Sequence, residues 1–152
     1  MNNKERIERA ALLFKSGYNC SQSVTVAFAD LYGFTEEQAM RLSAGFGGGI
    51  GRMRETCGAA CGMFILAGMD CGSTEASDRK AKSLNYAVVQ QLATKFKEQT
   101  GSLICAELLG LKKGTSLSFE ASERTPQYYS KSPCPKMVET AAKIFADYLD
   151  NK

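Results

Sequence analysis

Apolar residues return at three- and four-residue intervals along most of this chain, and glycine closes one run after another. That pattern restricts the fold to packed helices, because no stretch sustains the apolar–polar alternation of a half-buried strand. Ile7, Ala10, Ala11 and Phe14 mark a first helix over about residues 3–16, stopped by Gly17. Cys20, Val24, Ala27, Phe28 and Leu31 mark a second, with Asn19 as N-cap and Gly33 as stop. Thr35 and Gln38 form a capping box that opens a short third helix. Thr56 is expected to cap a fourth through about Met69, with Cys57, Cys61, Phe64 and Gly68 on one face. Beyond Ser73-Thr74-Glu75, the stripe Leu84, Val88, Leu92, Phe96 forms the strongest helix and ends at Gly101. A short helix covers Leu103 to Leu109, and a last one begins near Ser132-Pro133-Cys134-Pro135 and uses Val138, Ala141, Ala142, Phe145 and Leu149. The stretch from Leu111 to Ser132 lacks periodicity and is expected to hold a helical turn or form a lid. The expected architecture is all-α, one domain over residues 1–152 built as a bundle of about six to seven helices.

Bulk composition narrows the function classes. At 152 residues, with 44% hydrophobic and 23% charged, the balance is that of a soluble globular protein with its own core. A formal charge of +3 is too small to imply nucleic acid, and the basic run Arg79-Lys80-Ala81-Lys82 is short. No apolar run approaches the roughly 18 residues of a membrane span. The mixed charges of the first nine residues do not form a secretory signal, so a cytoplasmic, reducing location is expected. There, cysteines read as metal ligands or redox thiols sooner than as a disulfide framework.

The chain has six cysteines and no histidine. Chemistry must therefore run on thiolates, carboxylates or backbone dipoles, without the commonest general base and metal-binding nitrogen. Cys20, Cys57 and Cys134 each fall within a turn of an expected helix start. Free N–H groups and the helix dipole there stabilise a thiolate, and Arg52 and Arg54 just before Cys57 are expected to add to the effect. The pair Cys57-Gly-Ala-Ala-Cys61 lacks the CxxC geometry of thioredoxin-type sites; a shared metal fits that spacing better than a disulfide. Five glycines between Gly45 and Gly51 match neither a P-loop nor a dinucleotide fingerprint. They let the chain pack beside the cysteine-bearing helix start, where backbone N–H groups, Gly48 and Gly49 among them, can hydrogen-bond sulfur. Tyr18 beside Cys20, and Tyr128-Tyr129 in the aperiodic stretch, bring hydroxyls within possible reach of a site, and Glu55 is the one carboxylate near the chemistry.

Taken in order, Tyr18-Asn19-Cys20-Ser21-Gln22-Ser23-Val24, Gly47-Gly48-Gly49-Ile50-Gly51, Cys57-Gly58-Ala59-Ala60-Cys61-Gly62, Cys105 and Cys134 resemble the C_GCAxxG_C_C family of redox-active proteins, over roughly residues 5–145. The resemblance implies an all-helical bacterial or archaeal domain with a redox role. It also implies that Cys20, Cys57, Cys105 and Cys134 are the functional cysteines, with Gly58 in the variant Cys57-Gly58-Ala59 order and Gly62 as the closing glycine. Cys61 and Cys71 lie outside the pattern.

Three readings follow. Cys20, Cys57, Cys105 and Cys134 converge as a redox set, either as dithiol/disulfide pairs with no cofactor or as ligands of an iron–sulfur cluster, with Gly48, Gly49, Gly58 and Gly62 around the cofactor. Alternatively they hold a structural zinc, with Cys61 as a further candidate ligand. A third reading is a thiol-dependent enzyme, an oxidoreductase or otherwise, with Cys57 as nucleophile; the missing histidine counts against it. The expected partners are a redox protein or a small thiol or disulfide, with no nucleic acid and no membrane. The small residues Ala59, Ala60, Gly62 and Gly68 are compatible with close packing inside the fold or across a homodimer.

Overall fold

The computed structural model describes all residues from Met1 to Lys152 and contains eight α-helices and no strand. Side-chain oxygens open several of them. Asn2 accepts from the Glu5 N–H and starts α1 (Asn3–Lys15), and Asn19 forms a full capping box with Gln22 at the head of α2 (Cys20–Ala29). The box of Thr35 and Gln38 opens α3 (Glu36–Ser43), as expected. α4 (Gly58–Cys71) is followed by α5 (Arg79–Thr100), which Asp78 caps and Gly101 stops at φ +97°. The short α6 (Cys105–Leu108) and α7 (Pro126–Lys131) precede the long α8 (Cys134–Asn151).

At the centre, α2, α4 and α8 pack on one another; α1 lies against α2 and α8, α5 against α4 and α8, and α3 against α2. Nine of the ten residues of α2 are buried, which makes it the axis of the bundle. The core is built on Phe14, Phe28, Met63, Leu66, Leu92, Phe96, Ile144 and Phe145. Arg6 is buried as well; its guanidinium donates to Ala27 O at 2.9 Å and pairs with Asp30, tying α1 to the end of α2.

Several helix faces differ from the sequence expectation, each for a local reason. Thr56 does not cap α4; it faces Ile104 in an isolated antiparallel bridge, and Cys57 is the N-cap residue. The face of α4 turned to the core is Ala59, Ala60, Met63, Leu66 and Ala67, while Phe64 is half-buried. With no charge before Asp70, α4 carries no amphipathic contrast from which its inner face can be read. Leu31 is exposed because α2 tightens into a 3-10 turn, Asp30–Tyr32, which changes the angular step per residue. Leu84 is exposed because Asn85 already meets Ala67 O and Cys71 at the last turn of α4, leaving Leu84 past its end. The eighth helix is α7, within the aperiodic stretch.

Ala59, Ala60 and Gly62 are consumed inside the fold, where α4 crosses α2. A Cβ on Gly62 would stand 2.9 Å from Val24 Cβ and 3.1 Å from Ser21 O, whereas one on Gly68 would meet nothing within 4 Å. Gly62→Val is therefore expected to destabilise the protein by about 1–3 kcal/mol through overpacking. Gly68→Ala is expected to stabilise it by roughly 0.5–1 kcal/mol through helix propensity. Urea unfolding of both variants checks the α2–α4 crossing.

Candidate functional site

After the 3-10 turn Ala44–Phe46, the chain winds left-handed: Gly48, Gly49, Ile50, Gly51, Arg52 and Arg54 all have φ between 58° and 74°. Glycine takes this region freely; Ile50, Arg52 and Arg54 occupy it at roughly 1–2 kcal/mol each. The coil closes through Gly51 N–H to Gly45 O at 2.8 Å and Glu55 N–H to Gly49 O at 2.9 Å. It then runs into a short antiparallel tie. Cys57 N–H donates to Leu103 O at 2.7 Å, and Cys105 N–H donates to Glu55 O at 2.6 Å. These two bonds place the head of α4 beside the head of α6.

Close approach explains the glycines. A Cβ on Gly49 would lie 2.5 Å from Cys105 Cβ, and one on Gly58 would lie 2.9 Å from Cys20 Sγ and 2.8 Å from Phe46 O. Any side chain at either position would push a cysteine away. Gly48 lines the same space as the thiols, with its N–H facing Cys20, while Gly62 lies away from them at the α2–α4 crossing.

Cys20, Cys105 and Cys134 are the first residues of α2, α6 and α8, and Cys57 immediately precedes α4, so four helix starts meet. Between them lies a cavity of about 360 Å³ lined by all four cysteines. Cys61 and Cys71 are outside it. Cys61 turns back to the Thr56 carbonyl, and Cys71 sits at the far end of α4 against Ala67 O and Asn85. All six are free thiols. No group of three or more cysteines and carboxylates is arranged to hold a metal ion, and the four cysteines line one common space.

The charged groups lining the cavity are Arg52, Arg54 and Arg124, with no Asp or Glu. Arg54 was expected to serve Cys57, but its guanidinium donates to Cys105 Sγ at 3.8 Å. Arg52 instead reaches Ser118 O and Ser122 Oγ, both at 3.3 Å, and pins the aperiodic segment over the cavity. Arg124 closes the other side, donating to Phe14 O and Tyr18 O with its guanidinium 4.3 Å from the centre of the Phe14 ring and 5.0 Å from that of Tyr128. Tyr128 lines the cavity, whereas the Tyr129 hydroxyl is spent on Phe14 O. Arg52 and Arg54 were legible as residues near Cys57 but not as cavity walls, because their partners Cys105, Ser118 and Ser122 lie more than fifty positions away in the chain; Arg124 was not singled out.

Matching residues 18–148, the sequence model described as "Putative redox-active protein (C_GCAxxG_C_C)" spans all four cavity cysteines and most of the chain. The chain belongs to the C_GCAxxG_C_C family. Only α1 lies wholly ahead of the region matched to the family. Comparison with curated proteins and with solved structures gives no match. No helix is long and apolar enough to cross a membrane.

In this C_GCAxxG_C_C protein, burial overrides the helix dipoles at the thiols. Cys20 is pushed up to about 11, first by burial and then by the negative charge a Cys134 thiolate would carry; the Gly48 N–H opposes the shift. Burial also drives Cys57 well above the ordinary thiol range, with the charge of Cys20 adding to it and the Ala60 and Ala59 N–H groups pulling the other way. Cys105 is raised by burial against the opposing pull of Arg54, and Cys61 is pushed up to about 11 by burial and the charge of Cys20. The expectation of thiolates stabilised at helix starts is corrected for Cys20 and Cys57: the helix ends soften the burial penalty without cancelling it.

A thiol held neutral in the fold but ionised in the unfolded chain stabilises the fold below the ordinary thiol value of 9.0, and that stabilisation is lost as pH rises toward about 11. Unfolding free energy is thus expected to fall from pH 9 to 11, and to fall less steeply in Cys20→Ser. Urea titrations of the wild type and the variant across that range check this.

Proposed function

We propose that this protein is a thiol redox carrier in which Cys20, Cys57, Cys105 and Cys134 cycle between dithiol and disulfide, in a reducing compartment such as the cytoplasm. The observation that carries the reading is the single cavity lined by these four cysteines and by neither of the other two. Cys134 is half-buried while Cys20, Cys57 and Cys105 are buried, so Cys134 is the thiol that meets an incoming disulfide. Its thiolate attacks the incoming disulfide, and Cys20 then attacks the mixed disulfide. Cys20 is taken as the resolving thiol because it and Cys134 begin the contacting helices α2 and α8 and line one cavity. Two electrons and two protons pass to the partner, which leaves as two thiols.

Cys57 is a poor lone nucleophile in this setting. It is buried and its neutral form is favoured, which supports a role inside the set over a separate thiol-dependent enzyme. A four-cysteine iron–sulfur cluster is the second reading, favoured by four thiols and three arginines around one space. Such a cluster would supply one-electron transfer, with the four cysteines as its ligands.

Protein purified without oxygen, then oxidised with a mild disulfide and digested without reduction, is expected to yield a Cys20–Cys134 linked peptide that disappears on reduction and in Cys134→Ser. Absence of any linkage among the four cysteines would overturn the dithiol reading. Iron with labile sulfide in the anaerobic protein would replace it with the second.

A further inference from the structure

Beside the thiol cavity lies a second, more open one of about 410 Å³, and the two share Cys134, Arg54 and Tyr128 in their walls. The volume is within the range of small-molecule sites. Lys131 and Gln127 line only the outer chamber, Ser122 lines both, and neither chamber has an acidic residue in its lining. Neither cation is paired with a carboxylate. Arg54 and Lys131 take part in none of the five ion pairs of the protein, and the side-chain contact of Arg54 is to the Cys105 sulfur. Two unpaired cations flanking a half-buried thiol form a site that attracts negative charge and delivers it to sulfur.

We propose that the outer chamber binds a low-molecular-weight disulfide bearing carboxylate or similar anionic groups, held by Arg54 and Lys131 while Cys134 attacks its sulfur. This rests on the dithiol reading above and assigns its substrate class. Cys134 loses its proton to solvent, and its thiolate forms a bond to one sulfur of the ligand. The ligand S–S bond breaks, and the first thiolate leaves and takes up a proton. The second half of the ligand stays in the outer chamber as a mixed disulfide on Cys134. Cys20, lining the inner chamber, attacks Cys134 Sγ, forming the Cys20–Cys134 disulfide and releasing the second thiol with the Cys20 proton. One disulfide ligand becomes two thiols, and two protein thiols become one disulfide, so electrons and protons balance.

Charge-matched probes test the assignment. Reduced protein is mixed with dianionic dithiobis(nitrobenzoate) and, separately, with neutral dithiodipyridine, and the rate constant of the fast phase is measured for each. The ratio of dianion to neutral rate is expected to fall about tenfold in the double variant Arg54→Gln, Lys131→Gln, to fall similarly in high salt, and to stay at the wild-type value in Lys143→Gln. Cys134→Ser is expected to lose the fast phase with both probes. An unchanged ratio in the double variant, an equal fall in Lys143→Gln, or a fast phase that survives Cys134→Ser overturns the proposal. The number of thiolates released separates the two levels. Release of two per protein with an unchanged ratio overturns the anion site alone, whereas release of only one, with no protein disulfide formed, overturns the dithiol reading beneath it.

Discussion

Two backbone hydrogen bonds, Cys57 N–H to Leu103 O and Cys105 N–H to Glu55 O, decide where the cysteine-bearing helix starts meet in this fold. They join segments almost fifty residues apart and bring the heads of α4 and α6 to one place. The left-handed coil ahead of Glu55 exists to reach that tie, and its glycines are fixed by what they touch: Gly49 by Cys105, and Gly58 by Cys20. The α2–α4 crossing at Gly62 sets Cys20 opposite Cys57, and α8 brings Cys134 against the same space. Strain at Ile50, Arg52 and Arg54 is borne because the surrounding bonds over-determine the loop.

The resulting site balances opposed electrostatic effects. Burial raises the thiols, helix N–H groups and arginines lower them, and the sulfurs repel one another once charged. A set of buried, mostly neutral thiols is a poor standing nucleophile. The half-buried Cys134 is on the boundary between the inner cavity and the outer chamber, and Arg52 and Arg124 hold the aperiodic segment as a wall.

Helix positions were readable because they depend on neighbours in sequence. Asn19, Thr35, Gly17, Gly33 and Gly101 act locally, and the stripes of α1, α5 and α8 are strongly two-faced. The inner face of α4 was not readable, since a helix apolar all round has no contrast. The Thr56–Ile104 bridge was invisible because a pairing this short leaves no alternating pattern. The four cysteines were read as a set only through the family resemblance; Cys61, outside that pattern, turns toward the Thr56 carbonyl. The cavity walls formed by Arg54 and Arg124 required tertiary placement that no local spacing records, and the thiol shifts required burial, which the helix-start argument alone could not supply.

A cysteine-resolved redox titration tests the central claim most directly: protein poised at a series of thiol/disulfide potentials, trapped with isotope-coded alkylating reagents, and read residue by residue by mass spectrometry. The account predicts that Cys20 and Cys134 lose reactivity together at one midpoint, while Cys61 and Cys71 remain reduced throughout. Oxidation of Cys61 or Cys71 at that midpoint, with Cys20 and Cys134 still reduced, would contradict it.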